Sequence, residues 1–388
     1  MSANTSTTSS AWDHIIIGAG MAGASVAWQL ARAGQRVLVL EQESQPGYHT
    51  TGRSAALFEE HYGPQQVQAL TRASRAFYEA PPAGFTDHPI LGPRGVMYVG
   101  TAAQKPLIDA AYAEALKHSP QAIRLDGTGL RARVPVLAES MVDGFVDDAA
   151  RDIDVHALHQ GFLRGMRQAG GTLWCSAQVV SLTWDGSAQS WSVALADGRQ
   201  AIAACLVNAA GAWADGVGEL AGARAIGLVP ARRSAFTFPV PAEMDATHWP
   251  AVISADESFY FKPDAGQLLG SPANADATYP HDVQPEEEDI ATGIWNIEQA
   301  TTLHIRRPSH TWAGLRSFVA DGEMVIGWDA HLPQFFWVAA QGGYGIQSAA
   351  GYRLLARNLM LDELIDATLL AQGLQFEALE PARLQERE

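Results

Sequence analysis

The sequence predicts an α/β fold, in which a parallel sheet is packed between helices and strands of a second sheet follow. Three observations predict it. His14-Ile15-Ile16-Ile17 is a short, mostly β-branched run that suits a strand buried on both faces. Gly18, Gly20 and Gly23 then spell G-x-G-x-x-G at the start of a helical segment. Val37–Leu40 is a second apolar strand, and Glu41 ends it near the spacing of roughly 20 residues expected of an acid that binds ribose hydroxyls. Strand, tight turn, helix, strand and acid in this order make a Rossmann-like dinucleotide-binding unit. The first glycine makes the turn, the second admits a pyrophosphate, and the third lets the helix pack close to the strand. The helix N-terminus offers free N–H groups to the phosphates. An acid at Glu41 favours a free 2′-hydroxyl, hence NAD or FAD over NADP.

Composition bounds the remaining classes. The chain has 388 residues, enough for two domains, and 47% hydrophobic content. A net charge of −16 argues against nucleic acid and anionic membrane surfaces as partners. Cys175 and Cys205 form no C-x-x-C pair and read as buried small hydrophobes in a reducing, cytoplasmic setting. The histidines are scattered, so no metal site is expected. No apolar run reaches transmembrane length. Residues 1–10 are Ser/Thr-rich and read as a disordered tail, not a secretory signal.

Along the chain, Gly47 to Ala56 is a glycine- and hydroxyl-rich loop suited to close passage past a large ligand. Helices are expected at Gln65–Glu79, Gln104–His118, Val155–Ala169 (with Asp154 as N-cap) and Glu286–Ala300. The acidic start of the last one reads as a solvated first turn. Strands are expected at Gly95–Val99, Leu173–Cys175, Val179–Trp184, Trp191–Leu195 and Ala203–Asn208. Phe236–Phe238, Phe259–Lys262 and Gln267–Gly270 read as strands of another sheet, and Gly144–Asp154 reads as turn. Glycine-rich strand-to-helix turns recur at Ala210-Gly211 and at Gly342-Gly343-Tyr344-Gly345. Three such turns exceed what one nicotinamide nucleotide needs, and FAD fits better than NAD.

The fingerprint, Gln45-Pro46-Gly47-Tyr48-His49 through Gly52-Arg53-Ser54-Ala55-Ala56, Asp152-Ile153-Asp154, Arg232-Arg233-Ser234, Ser258-Phe259-Tyr260, Gly314-Leu315-Arg316-Ser317 and Gln341-Gly342-Gly343-Tyr344-Gly345 resemble the D-amino-acid oxidase superfamily of flavoproteins. Within it the chain is most similar to bacterial D-arginine/D-amino-acid dehydrogenases. The resemblance implies a glutathione-reductase-like FAD domain of the D-amino-acid oxidase type, formed by residues 12–80, 145–225 and 310–370. It implies a second, substrate-binding domain on a mixed or antiparallel sheet from residues 81–144 and 226–309. It implies non-covalent FAD, held by Gly18, Gly20, Gly23, Glu41, Arg53, Ser54, Ala55, Val179, Ala210, Gly211, Gly314, Gly342, Gly345, Ile346 and Gln347.

The reaction implied is hydride transfer from the substrate Cα to flavin N5, giving an imino acid that hydrolyses to keto acid and ammonia. Arg316 and Arg233 match the arginines that hold the substrate carboxylate, a role their planar forks suit. Arg316 lies in an apolar run, whereas Arg232 competes with Arg233 for the inward position. Tyr62 and Tyr260 match tyrosines lining the substrate, and Gly343 a glycine whose carbonyl accepts from the amine. Gln347, expected on the first turn of the helix after Gly343, lines the same region.

Leu57, Glu59 and Val96 depart from the arginine-preferring pattern of histidine, threonine and glutamate. Leu57 and Val96 point to apolar or aromatic D-amino acids. Glu59 either supplies the lost carboxylate or is a solvated loop acid beside Glu60. Other readings are a flavoenzyme acting on 2-hydroxy acids or N-methyl amino acids, a flavin-binding redox module without turnover, and an NAD-dependent dehydrogenase. The electron acceptor, a quinone or a soluble carrier, would be met in the cytoplasm or at the inner-membrane periphery.

Overall fold

The computed structural model describes residues 12–385, so the expected tail at 1–10 lies outside the described residues. The first sheet has eight strands. At its centre Trp12–Ile17 pairs in parallel with Val37–Leu40 on one side and with Gln200–Asn208 on the other. Thr172–Trp174 extends one edge, and Phe335–Ala339 pairs in parallel with the end of Gln200–Asn208. Burial on both faces explains the near-continuous apolar runs in these strands. On one face, helices Met21–Arg32, Val155–Gln168 and Ala349–Met360 pack together. Asp154 caps the second of these, accepting from the Ala157 N–H. The Arg353 guanidinium is enclosed there by the rings of Trp28, Phe77 and Phe162, at 4.7, 4.4 and 5.8 Å, and donates to Gln29.

The fingerprint turn is fixed by backbone crowding. Gly18 has φ +103°, and a β-carbon there would strike the carbonyl of Ala209 at the end of the neighbouring strand. A β-carbon on Gly23 would overlap the Gly18 carbonyl oxygen.

The second sheet has nine strands and divides its faces sharply. Val229–Pro239 pairs antiparallel with His310–Phe318 over nine residues, Arg233 facing Gly314 and Ala231 facing Arg316. The sheet continues through Gln267–Ser271, Tyr260–Asp264, Ala251–Ser254 and Val96–Gly100. Met97, Phe236, Phe238, Val252, Phe261 and Leu268 form a core beneath helix Glu287–Ala300. The alternate residues Arg233, Tyr260, Ile253 and Tyr98 point to the other face, since successive side chains alternate.

Several local expectations shift. Gly144–Asp154 is not a turn but two strands, Asp143–Asp147 in the second sheet and Arg151–Ile153 in a small third sheet with Leu57–Phe58 and Leu91–Pro93. Polar residues masked both strands, which are held by pairing and not by an apolar run. His310–Phe318 belongs to the second sheet through its pairing with Val229–Pro239, although the sequence reading joins residues from 310 onward to the dinucleotide-binding unit. Cys205 is buried but Cys175 is only half-buried. The acidic start of helix Glu287–Ala300 is not merely solvated: Arg232 binds Asp289 at 2.8 Å as well as Glu286.

Replacing Gly23 with Ala should cost about 1–3 kcal/mol, because the added methyl must displace the Gly18 carbonyl or the helix. Chemical denaturation of the cofactor-free protein checks this; an unchanged midpoint would mean the helix shifts freely.

Candidate active site

Two adjoining cavities share Gly20, Thr51, Ala209 and Gly211 on their walls. One, about 270 Å³, runs from Gly18 and Gly20 to Glu41 and Val179, with Ala210 and Gly211 also lining it. Glu41 is buried, and its carboxylate accepts from the Ala19 and Glu43 N–H groups at 2.9 and 3.0 Å. Burial pushes its carboxyl above the usual range. No lysine or arginine among the described residues lines this run. Gly23 lines neither cavity; it sits against Gly18 and sets the helix approach.

The second cavity, about 250 Å³, opens beside the first. Arg53, Ser54, Ala55, Gly314, Gly342, Gly345 and Ile346 line it. Arg53 directs its guanidinium to the Val283 and Ala313 carbonyls and Asp282, which ties the loop to the second sheet. Arg233 and Arg316, Tyr62, Tyr260 and Gly343 meet on the same wall. The Arg316 guanidinium lies directly on Gly343, where a β-carbon would overlap it, and over the rings of Phe318 and Tyr344 at 5.2 and 5.7 Å. Its Nη2 donates to the Tyr62 hydroxyl at 3.2 Å, while Nε has no partner among the described residues. Arg233 donates from Nε to the Asn274 carbonyl at 2.6 Å. Burial, and the Arg316 charge beside it, lower the Arg233 pKa. Neither arginine has a carboxylate partner among the described residues. Arg232 faces the other way, onto Asp276, Glu286 and Asp289, which settles which of the adjacent pair points inward.

Leu57, Glu59, Tyr98 and Ile253 also line this cavity. Val96 is not among these lining residues. It shares a strand face with Tyr98 but is fully buried in a small core with Ile108 and Phe145. Its short side chain stops in that core, whereas the longer Tyr98 reaches the cavity. Glu59 is not a solvated loop acid: it is 2% exposed and accepts from the Tyr98 hydroxyl at 2.7 Å. Glu60 instead pairs with Arg75. Gln347 precedes the helix, which starts at Ala349, and its Oε1 accepts from the Glu59 N–H at 3.2 Å.

Tyr98, Ile253 and Glu257 are lining residues that the sequence reading missed. The signal for Tyr98 was its place two residues after Val96, on the same face of a strand. Thr51 was missed too; its hydroxyl accepts from Met21 N–H at the helix start. No group of three metal-ligating side chains occurs among the described residues, and no helix is long and apolar enough to cross a membrane.

Comparisons with known proteins agree with this architecture. The family model described as FAD dependent oxidoreductase matches residues 13–357. Human mitochondrial dimethylglycine dehydrogenase is 24% identical over 269 residues, which is 67% of this chain but 30% of that protein's length. Glycine oxidase from Geobacillus kaustophilus superposes with a TM-score of 0.80 at 19% identity, over 97% of this chain and 99% of that one. L-proline dehydrogenase from P. horikoshii gives a TM-score of 0.78 at 18% identity, over 95% and 99%. The structural likenesses carry the fold, and the match over most of the chain carries the family: this protein belongs to the FAD dependent oxidoreductases.

Proposed function

We propose that this chain catalyses the FAD-dependent oxidative deamination of free α-amino acids, with D-amino acids as the preferred substrates. One observation supports it above the rest: two guanidinium groups, Arg233 and Arg316, line one cavity and neither bonds a carboxylate among the described residues. Two buried cations without a bonded carboxylate favour an anionic ligand, and the planar fork suits a carboxylate. The preference for D-amino acids rests on the sequence resemblance.

The cavity beside Gly18 and Glu41 suits the dinucleotide end of FAD. Gly18, Gly20 and the start of helix Met21–Arg32 would hold the pyrophosphate, and Glu41 and Val179 the adenosine. The absence of lysine or arginine among its lining residues suits a ribose without a 2′-phosphate. Arg53, Ser54, Ala55, Gly314, Gly342, Gly345 and Ile346 would border the flavin end. When bound, FAD supplies the acceptor for the two electrons that leave the substrate. The chain's own part is positioning. Arg316 and Arg233 fix the carboxylate, Tyr62 pins Arg316, and Tyr260 and the Gly343 carbonyl border the amine. Reoxidation falls to a quinone or a soluble carrier.

A second reading, oxidation of N-substituted amino acids, is favoured by the dimethylglycine and L-proline dehydrogenases among the similar proteins. Anaerobic titration of the holoenzyme separates the two. Bleaching of the flavin band by primary D-amino acids, and not by their L-forms or N-methyl analogues, is the expected result. Bleaching by N-methyl amino acids alone would overturn the first reading.

Arg316→Met should lower kcat/KM by about a hundredfold, roughly 3 kcal/mol, as expected for removing one charged partner of a desolvated pair. The loss should fall largely on KM, in steady-state assays with a saturable acceptor. Glu41→Ala should weaken FAD binding about tenfold or more, because two backbone N–H groups also lose their acceptor. Fluorescence titration of the apoprotein with FAD measures it.

A further inference from the structure

The cavity that holds the arginines also carries charge of the other sign. Glu59 is almost fully buried, yet only one of its oxygens is satisfied by the protein. Oε1 accepts from the Tyr98 hydroxyl at 2.7 Å and lies 3.3 Å from His61 Nδ1. Oε2 has no hydrogen-bond partner among the described residues, and Glu59 lines the cavity. Neither arginine pairs with it; Arg316 bonds Tyr62 and Arg233 bonds Asn274. Behind Glu59, His61 Nε2 stands 3.5 Å from Asp147 Oδ2, and both residues are buried. A carboxylate with one oxygen held by the protein and the other open to the cavity is a ready acceptor for a ligand's donor. One cavity therefore holds two cations and an under-satisfied anion that do not pair with one another.

Resting on the proposed function, we propose that Glu59 anchors a cationic group, ammonium or guanidinium, at the far end of the substrate side chain, and that His61 is a positioning residue that sets how negative this anchor is. The α-carboxylate occupies the arginines and the distal cation meets Glu59 Oε2. Tyr98 fixes the carboxylate plane, and the Gln347 contact to the Glu59 N–H fixes its backbone. Burial alone would lower the His61 pKa, but Glu59 and Asp147 on either side raise it above its ordinary value. Burial also pushes Glu59 upward, against the pull of His61 and Tyr98. The charged and titratable groups facing this unit are Glu60, Glu257, Asp147, Tyr98 and His118. Below the raised His61 pKa the imidazolium offsets one carboxylate. As pH rises through it that offset is lost, the wall becomes more negative, and preference for a cationic side chain grows.

The test uses the FAD-loaded enzyme with lysine and norleucine, in both enantiomers, between about pH 6 and about pH 9. The expected result is a lysine-to-norleucine ratio of kcat/KM that climbs with pH. Glu59→Gln should cut that ratio about tenfold or more. Tyr98→Phe should cut it less, and His61→Asn should flatten its pH dependence. Spectral titration with 6-aminohexanoate against hexanoate gives the same comparison without turnover, as tighter binding of the amine that Glu59→Gln abolishes. A ratio unmoved by both Glu59→Gln and Tyr98→Phe overturns the inference. So does a wild-type enzyme that turns over norleucine and refuses lysine, an outcome that leaves the proposed function standing. Reduction of the flavin by no amino acid, with 6-aminohexanoate still favoured through Glu59, would sink the proposed function and keep the anchor.

Discussion

The site depends on one register. Over the antiparallel ladder between Val229–Pro239 and His310–Phe318, Ala231 lies opposite Arg316 and Arg233 opposite Gly314. Directly opposed residues point to the same face, so Arg233 and Arg316 become diagonal neighbours on one side of the sheet. Arg232 is sent to the other side, onto Asp289. A slip of one residue would reverse all of this, bringing Phe236 and Phe238 out of the core and the arginine pair into it. The apolar face under helix Glu287–Ala300 is thus what holds the register, and the register is what places the charge.

The same sheet carries the cavity across its width. Ile253 pairs with Tyr260 on one side and with Tyr98 on the other, so these three side chains share the face that bears Arg233. One stiff surface therefore carries Arg233, Tyr260, Ile253 and Tyr98 along the cavity. The first sheet contributes loops at its strand ends: Gly18 to Gly20, Ala209 to Gly211 and Gln341 to Gly345. Ligands of open α/β sheets gather at this end, beyond the carboxyl ends of the parallel strands.

The first sheet was readable because its signals are local. Apolar β-branched runs, glycine turns and one acid fall within a few residues of each other, and the structure places each of them as expected. The long-range part was not readable in the same way. Arg232 and Arg233 are chemically alike in sequence, and only pairing with a distant strand separates them. Val96 was read as pocket-lining from the resemblance alone, where a glutamate is the pattern, but reach depends on side-chain length and on Tyr98 two residues later. Glu59 looked equally fit for solvent, since nothing nearby in sequence announces that Tyr98 and His61 will enclose it. The strand pair within Gly144–Asp154 is held by partners far along the chain, which leaves no periodic trace.

The joining of Phe335–Ala339 to Gln200–Asn208, beside Trp12–Ile17, has a consequence for how the molecule is made. A nascent chain that has exposed only its glycine fingerprint lacks both the flanking strand and helix Ala349–Met360, whose Arg353 fills the aromatic enclosure of Trp28, Phe77 and Phe162. The sheet and its helix layer therefore close only after residues 335–360 have been made. Until then Gln200–Asn208 lacks one neighbouring strand and the Trp28 side of the helix layer lacks Arg353, an exposure that favours chaperone assistance during synthesis.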